Sequence, residues 1–128
     1  LDPNERIRIT NFISSQAVGK IVIFATHVIS DIEFIADRVI LIDHGSLVRT
    51  GSPDELQESI RGKVYEGTVA KEEIDSLKKE GTLVSNMHYV GNNVKVRIIT
   101  DDTDLSPDWK QVDPELSDVY LYYERPDE

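Results

Sequence analysis

The sequence predicts an α/β fold in two parts: a piece of parallel sheet with packed helices, followed by a smaller α+β unit of order β-α-β-β-α. Three observations predict it. Two wholly apolar runs, Ile21-Val22-Ile23-Phe24-Ala25 and Val39-Ile40-Leu41-Ile42, alternate with helical patterns, and strands apolar on both faces are those of a parallel sheet covered on both sides. After Arg61-Gly62 the apolar residues alternate with polar ones, as in strands that expose one face. Gly91-Asn92-Asn93 then joins two such runs with residues that tolerate positive φ, which marks a hairpin.

Each element follows from local signals. Asp2-Pro3-Asn4-Glu5 starts a helix, with Asp2 as cap, Pro3 in the first turn and Glu5 at the capping-box position. Ile9, Phe12, Ile13 and Ala17 keep one face apolar for about four turns, and Gly19 ends the pattern. A strand is expected over 21–25. Ser30 is placed to cap a second helix with Ile32, Ile35 and Ala36 inward, which returns the chain to a strand over 39–42. The Gly45-Ser46 turn makes 47–50 a hairpin partner, and Ser52-Pro53-Asp54-Glu55 opens a short helix ending near Ile60.

A domain boundary is expected at Arg61-Gly62, dividing the chain into 1–62 and 63–128. Beyond it the expectation is a strand over 63–69, a helix over 71–80 stopped by Gly81, strands over 82–90 and 94–100, and an acidic linker over 101–104. Asp113-Pro114 then opens a last helix with Leu116, Val119, Tyr120 and Tyr123 on one face.

Composition excludes several classes. The chain has 128 residues, 39% of them hydrophobic and 30% charged, and a mean hydropathy of -0.33, which is that of a globular protein. Its apolar runs are shorter than the ~18 residues a spanning helix requires. With no cysteine there is neither a disulfide nor a thiolate metal site. The net charge of -10 disfavours a nucleic-acid backbone or an anionic lipid surface as partner.

The order of segments carries a resemblance. Leu1-Asp2-Pro3, the apolar run ending in Thr26-His27, the stretch Ser30-Asp31-Ile32-Glu33-Phe34-Ile35-Ala36-Asp37-Arg38-Val39, the turn Asp43-His44-Gly45 and Gly51-Ser52-Pro53-Asp54-Glu55-Leu56 together resemble the last third of the nucleotide-binding subunit of bacterial ABC transporters. Pro114-Glu115-Leu116-Ser117-Asp118-Val119-Tyr120-Leu121-Tyr122 is similar, in pattern, to the ending of subunits that serve exporters. The resemblance implies that 1–62 is the C-terminal part of a P-loop ATPase sheet and 63–128 an accessory or regulatory domain.

It also implies roles. His27 matches the histidine that contacts the γ-phosphate of ATP and helps hold the attacking water, and a polar residue at the carboxyl end of a buried strand lies where α/β sheets place ligand chemistry. Asp2 matches the aspartate at the dimer interface that links the two ATP sites, although as a helix cap it needs no further role. Val39-Ile40-Leu41-Ile42-Asp43 imitates a Mg²⁺-binding strand of P-loop ATPases, but His44 follows where those enzymes place glutamate, so Asp43 is assigned no metal. His44 and His88 lack partners at ligand spacing and are expected to be surface residues.

No phosphate-cradling glycine loop is present, since Gly19-Lys20 is followed by Ile21 and Gly62-Lys63 by Val64. The Leu-Ser-Gly-Gly-Gln signature is absent too. The expectation is therefore an inactive C-terminal piece of a longer, cytoplasmic, membrane-peripheral subunit. In that subunit ATP and Mg²⁺ would be the cofactors, and a transmembrane permease and a second ATP-binding subunit the partners. No cofactor is expected for the piece alone. The competing expectation is a non-catalytic regulatory or protein-interaction module.

Overall fold

The structure, a computed structural model, describes residues 2–26, 28–77, 82–102 and 104–124. Helix α1 (Pro3–Gln16) begins as its sequence requires, with the Asp2 side chain accepting the Asn4 amide at 2.9 Å and Pro3 in the first turn. No residue of α1 is buried. Of the stripe that patterning placed against a core, Ile9 and Phe12 are exposed and Ile13 and Ala17 only half-buried.

The next stretch departs from expectation. Residues 21–26 form no strand, and Ile21 and Ile23 are 93% and 92% exposed. A strand exists by pairing, and an isolated extended run has no ladder to satisfy its amides and carbonyls. No described strand lies beside this one. The helix expected after Ser30 is a single 3₁₀ turn, Ile29–Asp31, followed by turns closed by Ile35 and Ala36 amides on the Ile32 carbonyl. The segment is too short, and too rich in β-branched isoleucine, to propagate an α-helix without a surface to pack on.

Strand β1 (Val39–Asp43) pairs antiparallel with β2 (Ser46–Gly51) around a His44-Gly45 turn. Both turn residues have positive φ, 50° at His44 and 78° at Gly45, the conformation that matches a two-residue hairpin to strand twist. Helix α2 (Pro53–Ser59) is capped by Ser52, whose Oγ accepts the Glu55 amide at 3.1 Å. It buries Leu56, and Ile60 just beyond it, completely.

After residue 62 the sheet is antiparallel throughout. Strands β3 (Val64–Ala70), β4 (Leu83–Val90), β5 (Asn93–Ile99) and the two-residue β6 (Lys110–Gln111) lie in the order β4-β5-β3-β6. The β4–β5 hairpin turns at 91–92 as its glycine and asparagine predict. The helix expected over 71–80 is a 3₁₀ turn, Lys71–Glu73, and one turn of α3 (Ile74–Leu77); positions 78–81 lie outside the described residues. β6 had no sequence signal. It pairs with β3, Tyr65 opposite Gln111 and Glu66 opposite Lys110, and beside it Trp109 sits close on Gly67, where an added Cβ would come within 2.6 Å of the indole Cε3.

The described residues are thus mixed α/β, with antiparallel sheets and four α-helices. Among the described residues the expected parallel sheet is absent: both described sheets contain antiparallel pairs only. No described helix is long and apolar enough to cross a membrane.

Helix α4 (Leu116–Tyr123) ties the parts together. Its Leu116 and Val119 join Val39, Leu41, Leu56 and Ile60 from before residue 62 and Val64 and Ile99 from after it in one buried cluster. A second cluster, Ile74, Val94, Val96 and Ile98 with Trp109 packed on it, covers the opposite face of the four-stranded sheet.

Candidate functional site

The two residues assigned catalytic or interface roles are placed differently. Asp2 is exposed and its carboxylate is engaged as the α1 cap, which accounts for an aspartate at that position without further function. His27 lies outside the described residues. Its neighbours are described: the Val28 amide donates to Thr26 Oγ1 at 2.9 Å. Nothing described brings Asp2 close to Thr26 or Val28.

Asp43 and His44 sit at the β1–β2 turn. Asp43 Oδ1 lies 2.9 Å from His44 Nδ1, and the histidine side chain is 93% exposed, the surface position expected of it. The Asp43 carboxylate also faces Glu124 at the end of α4. Partial burial, and then the Asp43 charge and hydrogen bond, raise the Glu124 carboxyl above its ordinary 4.5. Among the described residues no group of three or more histidines or carboxylates is arranged to hold a metal ion.

A buried polar constellation that sequence reasoning passed over stands at the start of α4. Asp118 is 2% exposed on the inner side of α4 and takes a two-pronged bond from Arg97 of β5, Nε to Oδ1 at 3.1 Å and Nη2 to Oδ2 at 2.6 Å. Asp118 Oδ2 also accepts the Glu115 amide at 2.8 Å, closing a capping box at the helix start. Arg97 Nη2 reaches the Asp113 carbonyl at 3.3 Å. The hydrogen bond to Asp118 is the main reason the guanidinium is held above its usual value. The available signal was the spacing Glu115-x-x-Asp118, a capping box written with aspartate, and a charge flanked by Leu116 and Val119 on a buried face.

The far end of the same helix is equally engaged. Tyr123 Oη lies 2.8 Å from Ser59 Oγ of α2, and the Arg49 guanidinium stands 5.1 Å from the Tyr123 ring centre. Tyr122 donates to Asp101 at 2.7 Å, and that carboxylate also binds Lys63 at 2.6 Å.

Similarity to known proteins points where the segment order pointed. No family model matches the chain. It is 44% identical over 57 residues, 44% of its length, to an uncharacterised ABC transporter ATP-binding protein of Nostoc sp., of which the match covers 17%. It is 28% identical over 89 residues, 70% of its length, to the uncharacterised ABC transporter ATP-binding protein YxlF of Bacillus subtilis, of which 30% is covered. The glycine betaine/carnitine/choline transport ATP-binding protein OpuCA of the same organism is 23% identical over 88 residues, 69% of this chain and 22% of that protein. The chain therefore spans less than a third of the length of each of these relatives. The two Bacillus matches are longer than either half of the chain, so each crosses residue 62. The homologues of this chain are ABC transporter ATP-binding proteins, the family its order of segments resembles.

Proposed function

We propose that this chain serves as the C-terminal segment of the ATP-binding subunit of a bacterial ABC transporter, one of the export type. Residues 1–62 would complete the ATPase domain, with His27 at the γ-phosphate and Asp2 at the dimer interface, and 63–128 would form an accessory domain. ATP and Mg²⁺ would be held mainly by parts of the subunit outside this sequence, because no phosphate-cradling loop occurs within it. The subunit would work in pairs beneath a transmembrane permease, at the inner face of the cell membrane. The 44% identity to the Nostoc ATP-binding protein carries this reading.

A physical observation supports it. Ile7 and Phe12 of α1, and Ile21, Ile23 and Phe34 after it, leave a large apolar surface in water. Each such side chain forgoes about 1.5–3 kcal/mol of burial. Neighbouring strands on either side of 21–25 would recover that free energy and supply the missing ladder.

The test is made in the longer subunit. His27→Ala should lower ATP turnover by about 10²-fold or more, since a group aimed at charge developing on the transferring phosphoryl acts in the transition state. ATP affinity should change little, because it comes from backbone amides, lysine and Mg²⁺ elsewhere. His44→Ala, an exposed surface change, is the control. Equal turnover in wild type and His27→Ala would remove the assignment.

A second reading, a non-catalytic regulatory or interaction module, is favoured by one feature: on the open face of the four-stranded sheet Lys95, Arg97 and Lys110 line one depression with Glu66. It predicts that both histidine variants leave turnover alike.

A further inference from the structure

The open face of the four-stranded sheet carries two cross-strand rows in register. Asn86, Arg97, Glu66 and Lys110 stand side by side on β4, β5, β3 and β6, and His88, Lys95 and Thr68 form the next row. Together they line a shallow depression of about 440 Å³. That volume lies within the ~300–1,000 Å³ of small-molecule sites. The opposite end of this face is closed by α4 over Val64 and Ile99, so the depression has a floor of strands and one wall.

Its charge runs against that of the chain. Residues 63–128 hold eight Lys/Arg and fifteen Asp/Glu, a net of -7, yet this face presents Lys95, Lys110 and Arg97 against Glu66 alone. The buried Asp118 on the α4 wall is spent on Arg97, with Glu66 3.4 Å from the same guanidinium. Neither Lys95 nor Lys110 makes an ion pair with a described residue. Adjacent strands are ~4.8 Å apart, so Lys95 and Lys110 stand two strands apart with Glu66 on the strand between them and His88 one strand beyond Lys95, and the long lysine side chains are able to converge above Glu66.

We propose that this face is a binding site for a small phosphate-bearing anion, held by Lys95 and Lys110, with His88 as a further donor and Glu66 accepting from a hydroxyl of the ligand. Phosphate is favoured over carboxylate by the donors left free. The planar fork of Arg97, which suits a carboxylate, is occupied by Asp118, whereas a lysine ammonium is a point donor matched to a tetrahedral oxyanion. The inference stands apart from the ATPase reading, since none of its residues belongs to 1–62.

The probe is inorganic pyrophosphate, titrated into the full chain at near-physiological salt and followed by amide NMR. The expected result is saturable shifts confined to Thr68, Asn86, His88 and Lys95, with none at Thr26 or Val28. Lys95→Gln and Lys110→Gln should each weaken binding about tenfold, the usual worth of one charged hydrogen bond. Both lysines are exposed, and the spectrum of each variant reports directly that the sheet is intact. Non-saturating shifts, or saturable binding that both variants leave unchanged, would overturn the site.

Discussion

Asp118 is a charge on the buried side of an otherwise apolar helix face, and its partner Arg97 is itself only 14% exposed at the side chain. An ion pair removed from water is held by geometry and by saturation of its remaining hydrogen bonds, and both are present in the two-pronged bond, the Glu115 amide and the Asp113 carbonyl. Taking away one partner strands the other. Asp118→Ala should therefore cost about 3–5 kcal/mol of unfolding free energy, measured by urea denaturation. The double change Arg97→Met with Asp118→Leu should recover most of that loss, because it leaves no buried charge. A double variant as unstable as the single one would mean that packing, not the unpaired guanidinium, sets the cost. The role of this residue was half visible in the sequence. Its place in an amphipathic helix was plain, but its partner sits twenty-one positions earlier on strand β5, and nothing local announces a pairing that only the packing of α4 on the sheet creates.

Between elements, the same limit decides which expectations succeed. The hairpins β1–β2 and β4–β5 and helices α1 and α2 were legible because their signals are contained within them: a capping residue, a proline in the first turn, a glycine in the turn, whereas α4 was legible from its apolar spacing but starts at Leu116 with Glu115 as cap, two residues past the expected Asp113-Pro114 opening. The strand at 21–25 and the helix after Ser30 were not, because their patterns describe elements that need a covering layer, and propensity alone does not hold them. One junction between elements is pH-sensitive. Glu124 Oε1 is buried without a hydrogen-bond donor, and its neighbour Asp43 is another acceptor, so a proton placed between the two carboxylates creates the bond that Glu124 Oε1 lacks. The Glu124 carboxyl is raised in the fold, so its protonation adds stability that is full below the unfolded value of 4.5 and is lost as pH rises through the folded one. Glu124→Gln should then melt higher than wild type at neutral pH, and the gap should close on acidification below 4.5. A gap in melting temperature that does not change with pH would refute the coupling.

At the scale of the molecule, the cluster beneath α4 draws on both sides of residue 62. Leu56 and Ile60 are 1% and 0% exposed, and they pack with Val64, Ile99, Leu116 and Val119. A division into 1–62 and 63–128 remains our proposal for the order of parts along the chain, and the shared cluster predicts energetic coupling across it. Leu56→Ala should cost about 2–5 kcal/mol and should also lower the amide protection of Val96, which lies in the other cluster. Unchanged protection at Val96 would show that the halves open independently. The close seat of Trp109 on Gly67 has a practical consequence. This is the only tryptophan in the chain, and it rests on the face of the sheet opposite the cationic rows. Its fluorescence is therefore a built-in gauge of whether that sheet is closed. An anion arriving on the far side has a layer of strands between it and the indole, so it should leave the emission colour unchanged, whereas opening of the sheet should shift the emission to the red.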